Sequence, residues 1–301
     1  SEVVYNDRRD GKFVAVVKDV FSGEERVIPA PIYALSPDGK IGVGLDFARV
    51  DRTRPGYGYK GVEDPTINEK QPKDSGIHRV NLDTGEVETI ISLADIAAIP
   101  WDAETEGSHW FNHLLFNTDG TRFIFLHRAK RKADESGGWV TRMFTADPNG
   151  ENLHCVADHN MVSHFIWKNP AQILAWSREP ETGNNFHLYT DQTETFEVIG
   201  EEVLKRDGHC TYSPDGEWIL TDTYPDKNRM QSLMLYRPSD KTLVNLGKFY
   251  LPREASGEVR CDTHPRWSRD GKTVCIDSMH TNDTRQMYLV DISEVLAEHE
   301  N

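Results

Sequence analysis

The 301-residue chain is short of basic charge, of cysteine, of helix signals and of long apolar runs. Lysine and arginine number 34 against 49 aspartates and glutamates, a formal net charge of −15. That sign excludes general affinity for nucleic acid, whose phosphates need the opposite charge, while local basic clusters could still meet an acidic ligand. The four cysteines, Cys155, Cys210, Cys261 and Cys275, lack CxxC spacing and fall inside expected strands. They read as free thiols of a reducing compartment, which favours the cytoplasm over the periplasm. No apolar run approaches the roughly 18 residues of a membrane helix, and no signal peptide is recognisable, so no membrane partner is expected. A phosphate-cradling glycine loop, a GxSxG elbow and an HExxH pair are all missing. Helical patterning is confined to Leu93–Ile99 and Val295–His299.

What the sequence does contain is a repeat. A turn signal recurs as SPDG (Ser36 to Gly39), NTDG (Asn117 to Gly120), SPDG (Ser213 to Gly216) and SRDG (Ser268 to Gly271). Around it lies a unit of roughly 45–55 residues that reads as four strands, A to D, with alternating apolar residues bounded by Gly, Asp, Asn and Pro. The clearest copy runs from Asp207 to Phe249, and a second from His109 to Asp158. Tandem four-strand units of this length predict an all-β fold, a β-propeller forming a single domain over residues 1–301. Three strands in residues 1–29, four full units and three strands in 259–293 make about 22 strands, or about 5.5–6 blades. The chain is therefore expected to begin inside a blade, with roughly 70–100 residues preceding it. A long insertion, Asp51 to Ser75, should form a lid or wall.

Histidines occupy one register of this repeat. His113, His209 and His264 each stand six residues before the turn aspartate, and the degenerate copy HFIWKNPAQILAW puts His164 in the same place. In a propeller, strand A is innermost, so one register becomes one ring, and the four imidazoles should face the same mouth of the central channel. A lone strand histidine is more often a packed core residue, and tandem copying can multiply one without function. Yet Ile32 fills the same register in another copy, so the fold does not require histidine there. Imidazoles suit Mn, Zn, Fe or Ni, and Asp262, two residues before His264, could complete a site with His209 and His264. Imidazole is also the usual general base near neutral pH.

The loops at that mouth carry further candidates: Arg128 with Lys130, Arg131 and Lys132, then Arg178, Asp222 with Tyr224, and His280 with Asn282. Tyr224 could protonate a leaving oxygen, although a tyrosine at a strand end is more often packing. Arg142 could bind a carboxylate or be a solvated strand residue. The turn aspartates are expected to be structural.

The segments VSHFIW, DGHCTYSPDG and DTHPRWSRDGKTV resemble the oligogalacturonate lyase family (polysaccharide lyase family 22), and the SPDG repeats resemble TolB-type propellers. The resemblance covers about residues 105–293. It implies a seven-bladed propeller with a divalent metal, typically manganese, held by histidines and a glutamine, plus a histidine base and an arginine for the substrate carboxylate. By motif position His164 matches the base, His209 and His264 match metal ligands, and Arg142 matches the arginine, with Arg128 as alternative. Asp262 stands where the family has a histidine, and no residue matches the glutamine.

The leading expectation is a lyase acting on an acidic oligosaccharide by metal-assisted β-elimination beside a uronic acid. In it His164 is the base, Tyr224 the proton donor, Arg142 the carboxylate ligand, and His113, Arg128, Arg178 and His280 line the substrate. The alternatives are a propeller glycoside hydrolase on uronate-containing glycans and a non-catalytic, TolB-like binding module.

Overall fold

The computed structural model describes residues 1–281 and 284–299, so Asn282 lies outside it. The alternating segments become 22 antiparallel strands among the described residues, arranged as six sheets in which strands follow one another in sequence. The first sheet has three strands: β1 (Glu2–Arg9), β2 (Lys12–Asp19) and β3 (Glu25–Ile28). The second has β4 (Ala34–Leu35), β5 (Ile41–Leu45), β6 (Gly76–Asn81) and β7 (Val87–Ser92), with helix α1 (Phe47–Thr53) between β5 and β6. Helix α2 (Leu93–Ala97) leads to β8 (His109–Phe116), β9 (Phe123–Lys130), β10 (Trp139–Ala146) and β11 (His154–Ala157). The fourth sheet is β12 (Val162–Asn169), β13 (Gln172–Glu179), β14 (Gly183–Thr190) and β15 (Phe196–Ile199). The fifth is β16 (Thr211–Tyr212), β17 (Ile219–Asp222), β18 (Met230–Arg237) and β19 (Thr242–Tyr250). The last is β20 (Arg266–Trp267), β21 (Thr273–Ser278) and β22 (Gln286–Asp291), before helix α3 (Ser293–Ala297).

These contacts form two compact units, one of residues 1–162 and 169–171, the other of 163–168 and 172 onward. In the first, the middle strands of the third sheet are buried on both faces, and Phe111, Phe125 and Phe144 pack with Leu45, Val50 and Ile77. In the second, Trp218, Leu220 and Leu235 meet Val274 and Ile276. Burial of this kind is worth about 1.5–3 kcal/mol per large side chain.

The repeated turn is locked the same way in its three serine copies, while in the NTDG copy Asp119 accepts from the Thr121 amide and hydroxyl. Ser36 Oγ donates to Asp38 Oδ1 at 2.6 Å and accepts from the Ile41 amide at 3.0 Å. Ser213 and Ser268 make the same pair of bonds with Asp215 and Trp218, and with Asp270 and Thr273. The glycine that follows each aspartate has φ between 70° and 78°, where a side chain would be strained. The turn aspartates are thus structural. Sequence patterning missed α1, which Asp46 caps by accepting from the Arg49 amide. The insertion is pinned to this helix: Tyr59 stacks on Phe47 at 4.3 Å, and a Cβ on Gly58 would lie 2.3 Å from the Phe47 carbonyl oxygen.

Candidate functional site

In the second unit the repeat register brings three of its histidines into one contact cluster. His164 is the third residue of β12, while His209 and His264 lie just before β16 and β20. The His164 and His209 ring centroids are 4.0 Å apart, and those of His209 and His264 4.2 Å.

The cluster is organised by Asp222, the buried last residue of β17. Its carboxylate accepts from the His209 amide at 2.7 Å, from His209 Nδ1 at 3.0 Å, from Thr263 Oγ1 at 2.6 Å and from the His264 amide at 3.0 Å. Gly208 permits the approach, since a Cβ there would sit 1.9 Å from the Asp222 carbonyl oxygen. The last bond also holds His264 in a left-handed conformation, φ 41°, which is costly for a residue with a Cβ. Burial alone would raise the Asp222 pKa. The His209 ring, Thr263 and the His209 amide overcome it and hold the acid at about 2, so the residue is an anion at neutral pH.

His164 has a carboxylate of its own. Its Nδ1 lies 2.8 Å from Asp207 Oδ1 and donates to it, which in the neutral imidazole leaves the lone pair on Nε2. The Tyr224 hydroxyl lies 3.3 Å from that Nε2. Arg260 stacks over the Tyr224 ring at 4.9 Å, and Arg206 donates to the Tyr224 carbonyl at 3.0 Å. His264 reaches water on one side, yet burial of the rest of its ring, with the charges of His209 and Arg266, pushes its pKa down to about 4. The arrangement offers a carboxylate-oriented imidazole base beside a phenolic proton donor, flanked by two further imidazoles.

The expected metal set does not assemble as drawn. Both Asp262 oxygens accept from Arg260, each at 2.7 Å, and among the described residues no three His, Cys, Asp or Glu side chains are grouped to hold a metal ion. Without Asp262, His209 and His264 make a two-nitrogen set, short of the usual ligand count.

The remaining candidates have partners of their own. Arg142, in the first unit, is 1% exposed, and its guanidinium donates to the Ile96, Ile99 and Pro100 carbonyls and to His127 Nδ1. That engagement explains why it cannot serve as the carboxylate ligand in this arrangement. His113 and Arg128 also lie in the first unit. His113 has φ 55° and bonds Tyr33 through Nδ1 at 3.0 Å. Arg128 is buried on β9 opposite Trp110. In the second unit Arg178 is exposed and bonds Asn184, while His280 packs on Tyr288 and bonds Ser278 Oγ. Asp207 and Arg260 went unremarked in the sequence. Asp207 opens the very DGH segment that carries His209, the one signal that could have marked it.

Four-stranded meanders with a shared A–B turn define a β-propeller, and comparison with solved structures places the chain in that fold class. Oligogalacturonate lyase in complex with manganese superposes with a TM-score of 0.66 at 15% identity, over 98% of this chain and 75% of that one. TolB from Acinetobacter baumannii gives 0.53 at 13% identity, over 97% and 61%. The β-propeller domain of the Trilobed protease from Pyrococcus furiosus gives 0.57 at 17% identity, over 96% and 76%. No family model and no protein of curated function matches the sequence. Likeness at such identities establishes the propeller fold.

Proposed function

We propose that the second unit carries the catalytic site of a lyase that cleaves an acidic oligosaccharide beside a uronic acid by β-elimination. The observation behind this reading is the Asp207–His164–Tyr224 chain, with bonds of 2.8 and 3.3 Å. It unites the two groups that elimination requires, a base for the proton on the carbon next to the carboxylate and an acid for the departing oxygen. Asp207 fixes the tautomer that leaves Nε2 basic and stabilises the imidazolium that forms. The resemblance of the histidine segments to oligogalacturonate lyases gives independent support. Hydrolysis usually asks for two carboxyl groups flanking the bond, whereas Asp207 and Asp222 are each bonded to a histidine ring.

The test is incubation with a panel of uronate oligosaccharides, followed for unsaturated-uronate absorbance. His164→Ala should lower turnover at least about 100-fold. Full activity in that variant, or saturated products from the native protein, would sink the reading. A divalent metal, manganese first, is a proposal of its own, with His209 and His264 as its histidine ligands. Elemental analysis of the same preparations supports it if about one equivalent is bound and is lost in His209→Ala and His264→Ala, and removes it if reconstitution loads none.

A further inference from the structure

Resting on the lyase reading, we propose that the site selects uronates by stereochemistry: it acts where the C5 hydrogen and the C4 oxygen lie on the same face of the sugar ring, the gluco configuration. Reach decides this. The base is fixed as His164 Nε2, because Nδ1 donates to Asp207 at 2.8 Å. The proton donor, the Tyr224 hydroxyl, stands 3.3 Å from that same nitrogen. Two groups working from opposite faces of a pyranose must leave room for the ring between them, as do the carboxyl pairs of inverting glycosidases, roughly 6.5–9.5 Å apart. A separation of 3.3 Å leaves no such room. It does match the spacing between a C5 hydrogen and a C4 oxygen that share a face, each within hydrogen-bond reach of its partner.

Neighbouring residues hold the pair in this relation. Arg260 covers the Tyr224 ring at 4.9 Å, Arg206 anchors the Tyr224 carbonyl at 3.0 Å, and the His209 ring packs against both His164, at 4.0 Å, and Tyr224, at 6.1 Å. The reaction then balances without a co-reactant. Nε2 takes the C5 proton, the C5–H electron pair becomes the C4–C5 double bond, the C4–O4 bond breaks, and Tyr224 delivers its proton to O4. The imidazolium returns its proton to the phenolate across the same contact, which resets both groups. Galacto-configured uronates place C5–H and C4–O4 on opposite faces, so this pair can serve one bond or the other, never both.

The experiment gives native protein 1,4-linked glucuronate oligomers and, separately, galacturonate oligomers, and reads unsaturated product by absorbance and mass spectrometry. Glucuronate oligomers should be cleaved at least about 100-fold faster, the contribution of a positioned general acid. Equal or faster production of unsaturated galacturonate would overturn the stereochemical inference and leave the lyase reading standing. Cleavage of neither would bring down the lyase reading and the inference with it. Tyr224→Phe adds a second readout. It should lose about 100-fold on an ordinary glucuronate linkage and recover most of that loss when the C4 substituent is a phenol, a leaving group that needs no acid. Equal losses on both substrates would show that Tyr224 only supports the fold.

Discussion

Asp222 is a single side chain with four hydrogen-bonded obligations, and three of them set the positions of His209 and His264. As an anion it matches all four donors at once. Asparagine has the same size but offers one oxygen and two donors, so it must leave some of those N–H and O–H groups without an acceptor. Asp222→Asn is therefore expected to lower turnover on a uronate substrate by about 10–100-fold while the protein stays folded. Parallel rate measurements and thermal unfolding check this, and an unchanged rate would show that the histidines do not depend on the carboxylate. The histidines were legible in the sequence because a repeat makes position periodic. Their carboxylate partners were harder to see. Asp207 lies 43 residues from His164, and no spacing rule connects them before the fold does.

At the scale of the element, the strands and the turns between them were readable because both are local chemistry. The expected total of 22 strands is the total observed among the described residues, and the expected turn aspartates make the turn bonds. Helix α1 was not readable: FARVDRT mixes apolar and charged residues over only seven positions. It forms because Asp46 caps it and because Arg49, buried along its length, donates to the carbonyls of His109, Glu69 and Lys70. Arg142 shows the same limit from the other side. An arginine in the middle of an apolar strand can be a ligand or a clamp, and only the carbonyls at the end of α2 and just beyond it decide for the clamp.

For the whole molecule, buried uncharged histidines set the acid limit. Burial, helped by the charges of Arg142 and Arg49, pushes His109 down to about 4, burial pushes His187 down to about 4, and His127 lies well below its ordinary value. A folded pKa below the unfolded one means that the unfolded chain takes the proton first. Stability is then fully present above about pH 6.5 and is lost as pH falls toward 4, by up to roughly 3 kcal/mol for each fully buried histidine. Asp222, held at about 2, adds its own loss only as pH falls through the ordinary aspartate range toward 2. Urea unfolding at a series of pH values should show the decline beginning near pH 6; a flat profile down to pH 4.5 would contradict it. The turn bonds carry a consequence for time as well. Each closes within five residues, as between Ser36 and Ile41, whereas Asp222 reaches 41 residues to Thr263 and His164 reaches 60 to Tyr224. Short closures form early and long ones late, so a refolding chain passes through a stage that has its hairpins but no chemistry. Far-ultraviolet dichroism should recover before product formation does, and simultaneous recovery would mean that the site is assembled along with the first hairpins.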